Sequence, residues 1–369
     1  MKVLALTSYP IEAASTRYRV AQFIKPLSER GITMTLRPFL DSALQASIYK
    51  RSAWPQTALG LSRAALRRVG EARLAHDADV LFVQREAMIF GPPIIEWLAV
   101  RGFRRPMVLD LDDATYVSYT SPTYGKLGKA LKWSGKTDEL INWATLVTCG
   151  NRSIADYVAD KGVSARIIPT VVDTDVFRPV AKSQNRPPVL GWIGTHSTFP
   201  YLETIFPVLQ ELAQTHRFKL KIVGAGTKDV NLPGVEIENL EWNLDREIED
   251  FQSIDVGLYP IDSTLYSGNW ASGKSGFKAI QYMAVGIPYV ASPVGAIEEI
   301  GQNGITHLHA TTSEEWYEAL DRLISNVELR HTIGAAGRCH VVQHYSLSEQ
   351  TEKLAAALNE AATTRTENK

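Results

Sequence analysis

The sequence contains few of the features that mark secreted, metal-binding or membrane-spanning proteins. It has two cysteines, Cys149 and Cys339, in 369 residues, and their spacing matches neither a zinc site nor a redox motif. We therefore expect both thiols to be reduced and buried in a cytoplasmic protein. The eight histidines show no metal-ligand spacing. No apolar run approaches the roughly 18–20 residues that cross a bilayer, and the opening MKVLALTSYP is typical of a strand rather than of a signal peptide.

A strong net charge is also absent, which argues against nucleic acid as a partner. The formal net charge is −1 and the isoelectric point is about 6.7, and no nucleic-acid-binding module is present. The even balance conceals an asymmetry, because residues 1–180 carry 24 Lys and Arg against 17 Asp and Glu, whereas the remainder carries 15 against 23. The basic first half fits an anionic partner or a lipid surface, and equally fits ordinary surface variation.

Short runs of Val, Leu and Ile alternate with amphipathic stretches along both halves of the chain. Such runs are typical of parallel strands buried on both faces, and they include KVLALTS and ADVLFVQ early in the chain and PVLGWIGT and KLKIVGAG later. A proline-rich polar stretch near residues 178–187 separates the two arrays. The pattern predicts an α/β fold of two doubly wound, Rossmann-like domains, 1–180 and 181–349, that face each other across a cleft. Ligands of such sheets bind beyond the carboxyl ends of the strands.

The stretch GKSGFKAIQYMAVGIPYVAS, residues 273–292, predicts a helix that begins near Ser275 and carries lysines at its start. At 100° per residue, Lys274, Lys278 and Gln281 share one face, beside an apolar stripe. The free N–H groups at a helix start already make it electropositive, so cations are disfavoured there by roughly 0.3–1 kcal/mol. The pattern fits either a solvated surface face or a phosphate or diphosphate bound at the helix start.

The same stretch resembles the signature of nucleotide-sugar glycosyltransferases of glycosyltransferase family 4, which have the GT-B fold. SARIIPTVVDTDVFRP resembles the family's interdomain stretch, and VLGWIGT and KLKIVGAG resemble two strands of its nucleotide domain with their glycine loops. The resemblance covers most of residues 160–350, and over the first half it rests on strand order, ASTRYRV and VLDLDDATY. It implies that residues 1–180 bind the acceptor, that residues 181–349 bind the nucleotide sugar, and that a terminal helix, 350–369, returns to the first domain.

One departure from the family pattern concerns its usual pair of glutamates, which would fall at Gly273 and Gln281 and is not retained. Gln281 can still hydrogen-bond the donor ribose, and two lysines can supply positive charge to its diphosphate. The predicted contacts to the nucleotide sugar are Gly194, Thr195, Lys274, Ser275, Gly276, Phe277, Lys278 and Gln281. Lys278 is also assigned a catalytic role, because the leaving diphosphate gains charge as the glycosidic bond breaks.

DLDDAT places Asp110, Asp112 and Asp113 at a strand end, and three interpretations of this trio remain open. It resembles a DxD metal site, although that motif belongs to the other glycosyltransferase architecture. It also resembles the first motif of haloacid-dehalogenase phosphotransferases, although Ala114 stands where Thr or Val is expected. In the third interpretation, which we favour, Asp112 and Asp113 are catalytic carboxylates that bind a sugar hydroxyl or stabilise an oxocarbenium-like charge. Helix capping is the non-functional alternative.

Charged residues at two other predicted strand ends are candidate acceptor contacts. Arg17 and Arg19 follow the first strand, and Arg85 and Glu86 follow ADVLFVQ. The planar guanidinium of arginine suits an anionic acceptor or a phosphate. For the two arginines after the first strand, the start of a surface helix is the alternative.

Basic clusters at residues 101–105 and 126–136, the second containing Trp133, fit either peripheral contact with the inner face of the membrane or solvated helix faces.

We predict a metal-independent hexosyltransferase that uses a UDP- or GDP-sugar and no further cofactor, with retention implied by the resemblance. Its acceptor would be a hydroxyl of a sugar, a lipid-linked compound or a glycoconjugate. Two alternatives remain, namely a sugar-nucleotide epimerase or phosphorylase on the same fold, and a non-catalytic partner subunit that has lost the glutamate pair.

Overall fold

The computed structural model describes residues 1–48, 53–117, 133, 135–181, 187–226, 229–262 and 275–367. The chain divides into two compact units. Unit 1 comprises Met1–Thr170 and Leu347–Lys369, and unit 2 comprises Val171–Ser346. The sequence-based prediction placed the corresponding domain boundaries after residues 180 and 349.

Unit 1 is built on a six-stranded parallel sheet with the strand order β2-β1-β3-β4-β5-β6. The strands are β1 (Lys2–Thr7), β2 (Thr33–Pro38), β3 (Val80–Gln84), β4 (Met107–Leu111), β5 (Leu146–Cys149) and β6 (Ala165–Ile167). The helices are α1 (Ala14–Arg19), α2 (Ile24–Ser28), α3 (Ser42–Ile48), α4 (Trp54–Glu71), α5 (Ile94–Trp97), α6 (Lys136–Trp143), α7 (Arg152–Ala159) and the terminal α14 (Leu347–Glu367). The strand order reverses direction between β1 and β3, so ligands are expected at the carboxyl ends of these two strands.

The terminal helix α14 is part of unit 1, where it packs on α2 and on strands β4 and β5. An exposed ion pair between Arg166 and Glu360, with 2.9 Å between guanidinium nitrogen and carboxylate oxygen, also ties this helix to β6. The burial of three residues of α14, Leu354, Leu358 and Ala361, explains why the helix stays attached to the unit.

Unit 2 repeats the architecture with the strand order β12-β11-β10-β7-β8-β9, again fully parallel. Its strands are β7 (Val189–Ile193), β8 (Lys219–Val223), β9 (Glu236–Leu240), β10 (Val256–Tyr259), β11 (Tyr289–Ala291) and β12 (Leu308–His309). Its helices are α8 (Phe199–Glu203), α9 (Phe206–Leu212), α10 (Glu247–Gln252), α11 (Phe277–Ala284), α12 (Ser313–Ser325) and α13 (Val327–His344). The strand order reverses between β7 and β10, which is the order of dinucleotide-binding Rossmann domains.

The two cysteines differ in environment, and one of them corrects the sequence-based expectation. Both thiols are free, and Cys149 is fully buried at the end of β5, where burial raises the pKa of its thiol to about 12. Cys339 is exposed on α13 rather than buried. The shift at Cys149 makes that thiol unreactive at neutral pH, because the thiolate is the nucleophilic form.

Candidate functional site

In unit 2, the loop after β7 contains Gly194 and Thr195, and its geometry is set by tight packing. A Cβ at Gly194 would overlap the indole ring of Trp192, so only glycine fits there. The Gly194 N–H donates to the Val223 carbonyl oxygen at 3.0 Å. The Thr195 N–H donates to Oγ1 of Thr198 at 3.1 Å. Both backbone donors of this glycine loop therefore already have acceptors within unit 2.

The loop after β8 lies against the loop after β7. Gly224 has a φ of +83°, and a Cβ there would overlap the carbonyl oxygen of Gly194. Gly226, with a φ of +72°, lies in the same way against the side chain of His196. The two left-handed glycines allow a closer approach of the loops than any other residue would permit. Trp242 is half-buried beside Gly224 rather than part of the core.

Helix α11 begins at Phe277, two residues later than the sequence predicts, and Gly276 precedes it in a left-handed conformation with a φ of +62°. A Cβ at Gly276 would overlap the Ile300 side chain, so this position also requires glycine. Ser275 is described and half-buried, whereas the predicted phosphate ligand Lys274 lies outside the described residues. The start of α11 is thus shaped by backbone geometry at Gly276.

Lys278 and Gln281 come together on the first turns of α11. The Lys278 ammonium donates to Oε1 of Gln281 at 3.0 Å and lies 5.1 Å from the ring centroid of Phe251 in α10. The Gln281 side chain is fully buried, and within the described part of the chain no acceptor lies in hydrogen-bonding distance of its Nε2. A buried amide N–H without an acceptor costs roughly 1–3 kcal/mol, so the Gln281 side chain is incompletely hydrogen-bonded within the described part of the protein.

In unit 1, the Arg19 side chain is buried beneath the carboxyl ends of the strands, where it binds Asp110 in β4. Its guanidinium forms a two-point pair with Asp110, with 3.0 Å between Nε and Oδ2, and also donates to the Ile168 carbonyl oxygen. Thr148 donates to Oδ1 of Asp110 at 2.7 Å. Burial alone would lower the pKa of Arg19, but the charge of Asp110 outweighs it and the pKa is raised. The role that the geometry gives Arg19 is internal support of β4, instead of the predicted contact with an acceptor.

Arg85, Asp112 and Asp113 form a second charged group at the carboxyl ends of the strands of unit 1. The Arg85 guanidinium binds both carboxylate oxygens of Asp112, at 2.6 and 2.8 Å, and lies 4.0 Å from Asp113. The Arg85 backbone has a φ of +62°, a conformation that non-glycine residues rarely adopt and that clusters at functional sites. Gln84 donates to Oδ1 of Asp112 at 3.0 Å. The side chain of Asp113 is more exposed than that of Asp112.

The neighbouring charge of Arg85 favours the ionised form of Asp112. Burial by itself would raise the pKa of this carboxyl, but the charge and hydrogen bonds of Arg85 outweigh burial and hold the pKa below its usual range. The pKa of Arg85 is raised by the same pair against the opposing effect of its own burial. Asp112 is therefore a carboxylate that is charged at neutral pH and bound to arginine, while Asp113 Oδ1 accepts a hydrogen bond from the Ala114 N–H at 3.0 Å.

The other predicted acceptor contacts are engaged within unit 1. Glu86 pairs with Lys136 at 2.9 Å, and the backbone carbonyl of Glu86 accepts a hydrogen bond from Ser8. Arg17 donates to the Glu12 carbonyl oxygen at 2.9 Å and stacks over Tyr18. Both residues thus hold the loops that surround the ends of β1 and β3.

The described residues show neither a metal-binding cluster nor a membrane-spanning helix. Among residues that the structure describes, no group of three His, Cys, Asp or Glu side chains could hold a metal ion. No described helix combines the length and the apolar character that a membrane span requires. Of the predicted basic cluster at 126–136, residues 126–132 and 134 lie outside the described part, and the exposed Trp133 donates to Glu139 at 2.9 Å.

Comparisons with known proteins agree with this architecture. Residues 187–326 match the family model described as Glycosyl transferases group 1. Among solved structures, the chain is similar to sucrose-phosphate synthase from Thermosynechococcus elongatus, with 15% identity, 99% of this chain and 100% of the other covered, and a TM-score of 0.70. It is similar to Anabaena HepE in complex with UDP-glucose, with 16% identity, 97% and 99% coverage and a TM-score of 0.68. A glycosyltransferase from Rickettsia africae gives 14% identity, 98% coverage of both chains and a TM-score of 0.68. A search of curated protein sequences finds no match.

These findings confirm the class that the sequence predicts. The fold is GT-B, an α/β fold with two parallel six-stranded sheets. Residues 187–326 match the Glycosyl transferases group 1 model, which supports glycosyltransferase activity, and the chain has the GT-B fold. Assignment to glycosyltransferase family 4 and the roles of single residues stay predictions.

Three residues that contact the predicted site residues could not be identified, or were not identified, from the sequence. Thr148 is a buried hydroxyl in the otherwise apolar strand LVTC, and that isolated polar residue was an available signal. Lys136, which is buried and bound to Glu86, was noted only as part of the basic cluster 126–136, and nothing in the sequence indicated its burial. Phe251 beneath Lys278 is 27 positions away in sequence, and nothing local indicated the contact.

Proposed function

We propose that the protein transfers a hexose from a UDP- or GDP-sugar to an acceptor hydroxyl, with retention at the anomeric carbon and without a metal ion. The support is the group 1 domain over residues 187–326 together with the similarity of fold to HepE, whose structure contains UDP-glucose. The resemblance of the sequence to glycosyltransferase family 4 supports retention and metal independence. The reaction is assigned to the cytoplasm.

The observation that carries the proposal is the buried amide of Gln281 beside Lys278 at the start of α11. Lys278 fixes the orientation of the amide, because a cation must face Oε1, and this leaves Nε2 as a donor without a described acceptor. A ribose hydroxyl offers such an acceptor. The ammonium of Lys278 and the electropositive helix start favour an anion in the same place. A nucleoside diphosphate combines both chemistries.

On the donor side, we assign Lys278, and with it Lys274, to the diphosphate, where positive charge stabilises the leaving group. We also assign Gly194 and Gly276 as backbone contacts of the phosphates, and the space that a Cβ would take at each is filled by Trp192 and by Ile300, respectively. The Thr195 hydroxyl, Ser275 and Phe277 complete the proposed donor contacts. These assignments follow the match between this sequence and the family signature.

On the acceptor side, we assign Asp113 as the carboxylate that contacts a sugar hydroxyl or the developing positive charge. The negative charge of Asp112 is balanced by its two-point pair with Arg85, whereas Asp113 is more exposed and lies 4.0 Å from the same guanidinium. Arg85 is thus a positioning residue for Asp112, and the acceptor is a sugar, lipid-linked compound or glycoconjugate.

The test measures donor binding and turnover in the full chain with a panel of UDP- and GDP-sugars. Hydrogen bonds to charged groups contribute about 1.5–3 kcal/mol, so Lys278→Ala should lower kcat/KM about 10- to 150-fold. Lys353→Ala removes an exposed lysine paired with Glu349 on α14 and should leave turnover unchanged. Equal kcat/KM in both variants would remove Lys278 from the mechanism.

The same panel separates the alternatives. Consumption of the donor at the same rate without an acceptor would favour an epimerase or phosphorylase over a transferase. A thermal-shift screen in which no nucleotide or nucleotide sugar raises the unfolding temperature would favour a non-catalytic subunit. Retention and metal independence are tested by the anomeric configuration of the product, determined by NMR, and by turnover in the presence of EDTA.

A further inference from the structure

The short loop after β3, residues 85–88, has an uncommon backbone conformation at its start. Arg85 has a φ of +62°, and the Glu86 N–H donates to the Gln84 carbonyl oxygen at 2.8 Å. This hydrogen bond closes a three-residue γ-turn, and the form with a positive φ at the central residue is rare and strained. Such a conformation persists only where the surrounding structure holds it. The contacts of residues 86–88 therefore identify what keeps Arg85 in place.

Lys136, the first residue of α6, makes two of these contacts. Its ammonium donates to Oε2 of Glu86 at 2.9 Å and to the Met88 carbonyl oxygen at 2.8 Å. Between these two residues, the Ala87 N–H donates to Oε1 of the buried Glu96 at 2.8 Å. Each residue from 86 to 88 is thus anchored by a side chain from outside the loop, and a single ammonium anchors two of the three.

The position of Lys136 would be unfavourable for a lysine without these contacts. The residue is only 6% exposed, and a buried ammonium costs free energy unless it is paired and hydrogen-bonded. It is also the first residue of a helix, where the electropositive N-terminus disfavours cations. The Glu86 carboxylate and the Met88 carbonyl oxygen offset both costs. The burial of a lysine here is therefore explained by the loop after β3 and not by α6 itself.

The conformation of this loop decides which group the Arg85 guanidinium binds. With the left-handed turn in place, the guanidinium binds both carboxylate oxygens of Asp112, at 2.6 and 2.8 Å, and lies 4.0 Å from Asp113. A return of the turn to a negative φ would redirect the Arg85 side chain and break this two-point pair. Lys136 is therefore linked to the aspartates after β4 through Glu86 and Arg85.

We infer that Lys136 is a positioning residue for the acceptor site, because it holds the turn that directs Arg85 to Asp112 and places it beside Asp113. The inference rests on the proposed function, in which Asp113 contacts the acceptor. Lys136 acts through the protein alone, since both acceptors of its described hydrogen bonds belong to the loop. Loss of Lys136 should affect use of the acceptor and leave donor binding, which is assigned to unit 2, unchanged.

The test uses two variants of the full chain that separate positioning from stability. Lys136→Met removes the ammonium and leaves the Glu86 carboxylate without its partner, so this variant should also be less stable. Lys136→Met with Glu86→Gln removes one charge of each sign. The double variant should recover much of the lost stability but not the anchor of the turn. Thermal unfolding checks that both variants are folded.

The first measurement needs no substrate and follows the pKa of Asp112 by NMR of the carboxyl carbons in chain with isotope-labelled aspartate. Asp112→Asn identifies the signal. Because Arg85 holds the pKa of Asp112 below its usual range, this pKa should rise in both variants. In the double variant the net charge is unchanged, so a rise there reports displacement of Arg85. Lys353→Met, which removes an exposed lysine paired with Glu349 on α14, is the control and should leave the pKa unchanged.

The second measurement is steady-state transfer with the donor panel. In both variants kcat/KM for the acceptor should fall, by up to about 100-fold, because a displacement of about 1 Å at the reacting groups can cost that much. The Kd for UDP or GDP, measured by calorimetry, should stay at the wild-type value. A purely structural role predicts instead that the double variant, once its stability is recovered, regains wild-type kcat/KM.

The outcomes separate this inference from the proposed function. A wild-type pKa of Asp112 in the double variant would overturn the inference, whatever the transfer assay shows. A raised pKa together with an unchanged kcat/KM for the acceptor would overturn it as well. A raised pKa in a protein whose wild type transfers no sugar from any donor would contradict the proposed function, whereas the support of Arg85 by Lys136 would be confirmed.

Discussion

The buried pair of Arg19 and Asp110 should be a main determinant of the stability of unit 1. Both side chains are only 2% exposed, and the pair joins α1 to β4 and, through the Ile168 carbonyl, to the segment after β6. The perturbation is Asp110→Asn, which preserves the shape of the side chain and removes its charge. Arg19 then remains charged inside the core, because arginine does not lose its proton in proteins.

The magnitude follows from the burial of the pair. Removing one partner of a buried ion pair costs about 3–5 kcal/mol, since the remaining charge is left without compensation. The unit is large, and 1 kcal/mol corresponds to about 2–4 °C at this size, so the unfolding temperature of unit 1 should fall by roughly 6–20 °C. The double variant Arg19→Met with Asp110→Asn removes both charges and should cost less than the two single changes added together.

The assay is thermal unfolding of the full chain, with the transition of unit 1 assigned separately because a chain of two units need not unfold in one step. The control is Arg30→Met, which breaks an exposed arginine–glutamate pair with Glu352 in the same unit and should cost less than about 1 kcal/mol. If Asp110→Asn unfolds at the same temperature as Arg30→Met, or if the double variant is fully additive, the buried pair does not act as described.

Two further predictions concern acid. Because Arg85 holds the pKa of Asp112 below its usual range, this pair contributes stability that is complete above about pH 4 and is lost as the pH falls further. Arg85→Gln should therefore reduce the loss of unfolding free energy of unit 1 below about pH 4, measured by urea unfolding at a series of pH values. An unchanged loss would contradict the assignment. Burial lowers the pKa of His307 to about 4, so unit 2 should lose up to about 3 kcal/mol between roughly pH 6.5 and pH 4, as only the unfolded chain takes up the proton. His307→Phe, which keeps a ring stacked on Tyr289, should remove most of that loss in the same urea titration, and an undiminished slope would exclude His307 as its source.

The strands of both sheets were predictable wherever they are central and buried on both faces. KVLALTS, ADVLFVQ and PVLGWIGT each contain a strand because an uninterrupted apolar run has one simple solution in a parallel sheet. The sequence gives only a weak signal for strand β2, because it lies at the sheet edge and alternates exposed and buried positions among polar residues. Such a short alternation is easily taken for a loop.

The stretch STRYRVAQFIKPLSERG, which ends in glycine, has an apolar period that favours one helix, and the structure divides it. Helix α1 ends at Arg19, a 3₁₀ turn covers Ala21–Phe23, and α2 begins at Ile24. Pro26 falls in the first turn of α2, where its missing N–H is tolerated. The apolar period continues across the break, so the periodicity alone could not reveal it.

The charged groups of unit 1 depend on contacts that sequence spacing does not encode. The register of β3 and β4 places Gln84 opposite Asp110, and from this pairing Arg85 would be expected near Asp110 as well. The left-handed turn at Arg85 instead carries its side chain to Asp112. Arg19 takes Asp110, although its position in ASTRYRV suggested a ligand contact. The aspartates at the strand end were identifiable, but their arginine partners were not.

The position of Lys278 is a weaker argument for a bound diphosphate than the position of Gln281. A lysine in the first turn of a helix is disfavoured by about 0.3–1 kcal/mol. The hydrogen bond to Gln281 and the Phe251 ring at 5.1 Å can offset a penalty of that size without any ligand. No described contact offsets the buried Nε2 of Gln281, whose cost of roughly 1–3 kcal/mol is larger. A ligand that supplies the missing acceptor removes this cost, and the free energy so gained adds to the affinity for the ligand. The amide of Gln281 therefore supports a bound donor more strongly than the ammonium of Lys278 does.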